Sequence, residues 1–397
     1  MIQILKNQKI NDIFFNLASL YIYAISIVRI ARKTIYSDQL QYSWYSFSEL
    51  LISYPERFTR RGFIGELASV IDSDQILFDD INRIIFINFI IFAALSFTHI
   101  QLYKLKPVSH FIFLISIVGI FDITLHNQYF HRKEIFILNL FMLLLLILKL
   151  SSSSWINLLT ISFISILMIL IHEGIALITF PFIFLIIKRK NKLLSYQIFI
   201  YIFLLSAVFL IVVFTSGSES IANEIWENVS EFDKKQIFEN TKSESTAITA
   251  IGYSIIDSFL GTTLKLIFSG YMFVWAIYIL ILFWTFIEIF NIKNPNISTV
   301  KKFLMNEKYF FIIIPLFVVG FDWGRWILSL FYLCFISYLF LSNNEAAKNK
   351  IFSKSTFFLV TVSLLTVMPE CCLPTGPYST YYRFLKNIQF FLLDIFS

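Results

Sequence analysis

The chain has 397 residues, of which 57% are hydrophobic and 15% charged, and its mean hydropathy is +0.74. Soluble domains average about 45–50% apolar and about 25% charged residues, and no soluble core of this length would hold the 47 Phe found here. The net charge of +6 is scattered over many short loops, which fits membrane orientation and excludes a nucleic-acid-binding surface.

In chain order, apolar runs bounded by charges predict an all-α polytopic integral membrane protein, a single helical membrane domain over 1–397. About eleven transmembrane helices are expected, near 12–30, 83–103, 110–126, 134–150, 155–171, 174–188, 194–214, 264–290, 309–321, 326–342 and 355–369. Lys6 and Lys9 precede the first run, which has no small-residue cleavage site and ends in Arg29, Arg32 and Lys33. It is expected to remain a span rather than be removed as a signal peptide. The apolar stretch from Trp155 to Ile187 is too long for one crossing and carries His172 and Glu173 in its middle, so it divides there. A kinked, tilted single helix is the alternative. Residues 31–82 form a first extracytoplasmic loop. Residues 215–263 form a large acidic one, with Glu219, Glu224, Glu227, Glu231, Asp233, Glu239 and Glu244. Cys334, Cys371 and Cys372 have no metal-site spacing and imply no disulfide framework.

Lysines set the sidedness. Lys104, Lys106, Lys149, Lys188, Lys190, Lys192, Lys293, Lys301, Lys302, Lys308, Lys348, Lys350 and Lys354 fall in alternate connections on the same side as Lys6 and Lys9. The positive-inside rule makes that side, and the N-terminus, cytoplasmic. The arginines are distributed differently. Arg57, Arg60, Arg61, Arg132, Arg325 and Arg383 fall on the extracytoplasmic side, where the charge rule gives no reason for them. Arginine is preferred over lysine where a planar fork must grip a phosphate or carboxylate, so a phosphate-bearing, lipid-anchored ligand is expected at that face. Pairing with lipid headgroups or with nearby acids is the plainer explanation.

Four polar constellations mark the same face. Arg60-Arg61-Gly62, with Gly65 and Glu66, opens an apolar stretch, as an interfacial helix with snorkelling arginines also would. His126-Asn127-Gln128 through His131-Arg132-Lys133-Glu134 links spans three and four, where Glu134 also suits a helix N-terminus. His172-Glu173-Gly174 lies at membrane depth, where ionisable groups are costly and functional by default. It is not a metal motif, because Ala176 stands where a second histidine would be needed. Asp322-Trp323-Gly324-Arg325-Trp326 is the fourth, and its two Trp are also ordinary interfacial anchors.

This residue set suits sugar transfer from an undecaprenyl-diphosphate donor. Charge develops on the diphosphate leaving group, where Arg325, Arg60, Arg61 and Arg132 would stabilise it. The acceptor hydroxyl needs a base, for which Glu173 and His172 are candidates. Asp322 either orients Arg325 or acts as base itself. Trp323 and Trp326 are candidates for stacking on sugar faces. Arg-Arg-Gly-Phe-Ile-Gly at 60–65, His-Arg-Lys-Glu at 131–134, His-Glu-Gly at 172–174 followed by Pro181, and Asp-Trp-Gly-Arg-Trp at 322–326 together resemble a Wzy-type O-antigen or capsular-polysaccharide repeat-unit polymerase. That resemblance spans 60–326 and implies a multi-pass inner-membrane glycosyltransferase that joins lipid-linked repeat units without a metal or other cofactor. It also implies a chain-length regulator as a further partner. The 215–263 loop fits that family in size but contains no arginine, which departs from members whose loop arginines are implicated in function.

Two alternatives remain. A GT-C-type glycosyltransferase uses a polyprenyl-phosphate sugar and carries acids in the first external loop, where Glu49, Glu56 and Glu66 lie and where Asp72 and Asp74 come nearest to an acidic pair. A flippase or transporter would line a path through both membrane halves with polar groups, and the inner halves of these helices read as apolar.

Overall fold

The computed structural model describes residues 8–36, 44–54, 61–71, 78–116, 119–125, 130–215, 219–227, 271–290, 323–341 and 353–365, with single positions at 229, 234, 248 and 313. Regular structure among them is helical. The elements are α1 Gln8–Thr34, α2 Trp44–Leu50, α3 Phe63–Ile71, α4 Phe78–Leu102, α5 Pro107–Ile115, α6 Ile120–Leu125, α7 Lys133–Leu150, α8 Ser154–Ile171, α9 Glu173–Lys190, α10 Ser195–Phe214, α11 Glu219–Glu227, α12 Tyr271–Phe290, α13 Trp323–Leu341 and α14 Lys354–Leu365. Six segments are long and apolar enough to cross a membrane: Ile10–Thr34, Asp79–Leu102, Pro107–Thr124, Ser154–Ile171, Ser195–Phe214 and Gly324–Leu341. Helices α7 and α9 have the length of a span at 18 residues each but carry charged residues at both ends. The span expected near 309–321 lies outside the described residues.

The successive helices α7, α8 and α9 alternate in direction. Asn157 Nδ2 at the start of α8 donates to the Lys192 carbonyl beyond the end of α9 at 3.2 Å, which makes α8 and α9 an antiparallel hairpin. Lys192 Nζ reaches the Ser151 carbonyl at 2.9 Å, Lys149 lies over the Tyr103 ring and Lys190 over the Phe340 ring. The ends of α4, α7, α9 and α13 therefore share one end of the bundle, and that end carries the lysines. The starts of α7, α9 and α13 share the other. Large apolar side chains on α1, α8 and α10, among them Phe14, Leu17, Leu159, Phe163, Phe199 and Phe203, point outward and are exposed. An apolar exterior of this extent is what hydrocarbon as solvent requires.

One expectation is refined and one corrected. The span predicted at 110–126 overlaps the apolar segment Pro107–Thr124, whose helix is interrupted after Ile115 into α5 and α6. Ser116 turns back onto the Phe113 carbonyl with its Oγ at 2.8 Å, and the Gly119 backbone approaches the Leu114 carbonyl so closely that a Cβ would lie 2.2 Å from it. The half of the bundle carrying the lysines is not purely apolar either. His99 Nε2 contacts the Met142 carbonyl at 2.9 Å, and His110 Nε2 faces the Tyr23 hydroxyl at 3.3 Å. Nearer the opposite end, Asn139 Nδ2 donates to Asn88 Oδ1 at 2.7 Å. Each contact ties one helix to another, the role polar side chains take where lipid gives no hydrophobic drive between helices.

Candidate functional site

At the opposite end of the bundle, where the starts of α7, α9 and α13 meet, five chain segments bring charged side chains together. Glu49 comes from α2, where Phe47, Leu50 and Leu51 are buried and anchor the short helix. Arg61 sits in the turn before α3, Arg132, Lys133 and Glu134 at the start of α7, His172 and Glu173 between α8 and α9, and Arg325 in the first turn of α13. Glycine makes the Arg61 turn possible. A Cβ on Gly62 would lie 2.3 Å from the Tyr54 ring, and one on Gly65 would lie 2.2 Å from the Ile52 carbonyl, so α3 crosses the 50–54 segment almost backbone to backbone. At the α8–α9 junction His172 is extended, with φ −164° and ψ 104°. The predicted division of 155–187 is therefore seen as a hairpin, not a kinked helix, and Glu173 becomes the first residue of α9. There the amide ends of the helix favour an acid, as they do for Glu134 in α7.

The contacts form one network. Arg325 Nε donates to Glu134 Oε1 at 2.5 Å, and its Nη2 lies 3.4 Å from Glu49 Oε1. Arg132 Nη1 lies 3.4 Å from Glu49 Oε2, and His172 Nε2 3.8 Å from Oε1. Arg61 grips Glu173 with both arms of its fork: Nε lies 3.0 Å from Oε1 and 3.2 Å from Oε2, and Nη2 lies 2.8 Å from Oε1. Lys133 Nζ donates to the Arg61 carbonyl at 2.6 Å. Glu49, Arg132, Lys133, Glu134, His172 and Arg325 are all buried, whereas the Arg61 side chain is 32% exposed and that of Glu173 13% exposed. This pair is the open edge of the cluster.

Electrostatics follow from that packing. Burial alone would raise the Glu49 carboxyl, but Arg325, Lys133, His172 and Arg132 together hold it well below the ordinary carboxylate range. Burial, with Arg132 beside it, pushes His131 well below the usual imidazole range, and burial with Arg61 does the same to His172. Both imidazoles are therefore neutral near pH 7. With Arg61, Arg132, Lys133 and Arg325 set against Glu49, Glu134 and Glu173, the described cluster keeps one positive charge in excess.

The predicted site residues separate into three groups. Arg61, Arg132, His172, Glu173 and Arg325 come together in this network. Arg60 and Asp322 lie outside the described residues, as does the side chain of Trp323. Trp326 is buried and packs in the apolar core of α13, so its ring faces are covered here. Three residues of the network carry no site role in the sequence: Glu49 reads there as an acid of the first loop, Lys133 as part of a motif, and Glu134 as a helix opener. A usable signal existed for Glu49, an acid within the apolar run Phe47 to Ile52, because a buried carboxylate there requires a cationic partner.

Among the described residues no group of three or more His, Cys, Asp and Glu is placed to hold a metal ion. No family model, curated protein or solved structure matches this chain.

Proposed function

We propose that this membrane protein is a multi-pass glycosyltransferase that polymerises undecaprenyl-diphosphate-linked oligosaccharide repeat units, in O-antigen or capsule synthesis, on the periplasmic face of the inner membrane. The observation that carries this reading is the cation-rich cluster at the helix ends, with Arg61 and Glu173 at its open edge. The lysine-bearing end faces the cytoplasm under the positive-inside rule, so the cluster faces outward. Arg61 meets the donor diphosphate, and Arg132, Lys133 and Arg325 supply positive field behind it where the leaving group gains charge. Glu173, the most open carboxylate of the cluster, takes the acceptor proton, with neutral His172 behind it.

A second reading has its own support. Glu49, the central carboxylate, belongs to the first loop, where polyprenyl-phosphate-dependent enzymes of the GT-C type carry their acids. Surface polysaccharide from a host lacking this gene distinguishes the two. The polymerase reading expects the ladder to collapse to a single capped repeat, restored by wild type and not by Arg61→Ala. A ladder of normal length built from a shortened repeat would favour the second reading.

A further inference from the structure

As it stands, Arg61 is already occupied. Its guanidinium holds both oxygens of Glu173, at 2.8 to 3.2 Å, and a carboxylate bound in this bidentate way is held in its charged form and is a weak base. The two groups best exposed to a substrate thus neutralise each other. The peptide of Arg61 is fixed at the same time. Its φ is +66°, in the left-handed region, which is unfavourable for a non-glycine residue and persists only where the surroundings impose it. The Lys133 ammonium on its carbonyl and the close packing of Gly62 on Tyr54 impose it here. A fixed backbone carrying a half-exposed guanidinium is a rigid base with a movable tip.

We propose that a phosphate group of the substrate exchanges for Glu173 on Arg61, and that this exchange releases Glu173 to act as the proton acceptor in the transfer step. The inference rests on reading the site as a sugar-transfer centre. One anion replaces another on the guanidinium, so Arg61 is never left unpaired, and the exchange avoids the cost of opening a partly buried ion pair. In the step that follows, the acceptor hydroxyl gives its proton to the Glu173 carboxylate, and its oxygen bonds to the donor's anomeric carbon. The bond from that carbon to the diphosphate oxygen breaks, and its electron pair leaves with the diphosphate held by Arg61. The base is available only while a donor is seated, so an acceptor or water meeting the empty site is not activated. Among the described residues, the charged or titratable groups near the Arg61–Glu173 pair include Lys133 and Glu134 from α7, Glu49 from α2, Arg325 from α13 and the adjacent His172. Burial keeps His172 neutral and brings Lys133 down to about 8, so below pH 7 both hold one protonation state.

The test is calorimetric binding of inorganic diphosphate to the purified full-length protein near pH 5, where an ordinary carboxylate is partly protonated, in two buffers of different ionisation enthalpy. A released Glu173 regains basicity, so wild type is expected to take up protons on binding to an extent that Glu173→Gln does not. Glu173→Gln should also bind diphosphate more tightly, and Arg61→Gln more weakly by about tenfold or more. Should Glu173→Gln fail to fold, Glu173→Asp serves, because the shorter acid cannot keep both contacts; it too should bind more tightly than wild type. Equal proton uptake in wild type and Glu173→Gln, or no gain in affinity in either acid variant, overturns the exchange. No turnover is needed. A wild type that shows the exchange but makes no polymer refutes the sugar-transfer reading, and one that makes polymer without the exchange refutes this inference alone.

Discussion

Arg325→Ala is expected to cost most of the folded protein as well as all activity. Arg325 is buried and bonded to Glu134 and Glu49, so its removal leaves two carboxylates facing each other with one guanidinium fewer. Breaking a buried pair by deleting one partner costs about 3–5 kcal/mol, a large part of the stability of an ordinary domain. Arg325→Lys should be only partly better, because a single ammonium cannot reproduce the planar fork that serves Glu134 through Nε and Glu49 through Nη2. Arg325→Met combined with Glu134→Gln removes one charge of each sign and should recover folded protein without recovering activity. Unfolding of the detergent-solubilised variants reads the stability, and polymer synthesis reads the activity. Full stability in Arg325→Ala would mean that the two acids are compensated from elsewhere and that the network is not a single unit.

Glu173→Gln is expected to act on rate and not on fold. The side chain is at the open edge, and glutamine keeps its size, so the protein level should match wild type. Loss of a general base lowers turnover by about 10²–10⁴-fold. The apparent affinity for the donor should hold or improve, because the amide leaves Arg61 open to phosphate. A kinetic comparison at saturating donor separates the two terms. A Glu173→Gln protein with wild-type turnover would remove Glu173 from the chemistry and leave His172 as the remaining candidate base among the described residues.

Much of the helical layout was legible because hydrophobic length is a strong and local signal. Helices α8 and α9 begin and end close to where the charges predicted, and His172 divides them because a buried ionisable pair is cheaper at a hairpin tip than inside a span. The interruption between α5 and α6 was not legible. It depends on Gly119 meeting a carbonyl five residues earlier in sequence, and an apolar run conceals such a contact. The site was legible as a set of arginines but not as a network. Nothing in the spacing of Arg61 and Glu173, or of Glu134 and Arg325, says that they pair, since those contacts cross more than a hundred residues of chain. Glu49 is not legible as the centre of the cluster for the same reason. Its partners come from three other segments, and its neighbours in sequence are all apolar or neutral.

The most direct measurement is the product made by the purified protein from an undecaprenyl-diphosphate-linked repeat unit, with Arg61→Ala in parallel. The account predicts a series of lengthened lipid-linked glycans, one free undecaprenyl diphosphate for each unit joined, and no such series from Arg61→Ala. Failure of wild type to use that donor, with transfer of a single sugar from a polyprenyl monophosphate instead, would contradict it.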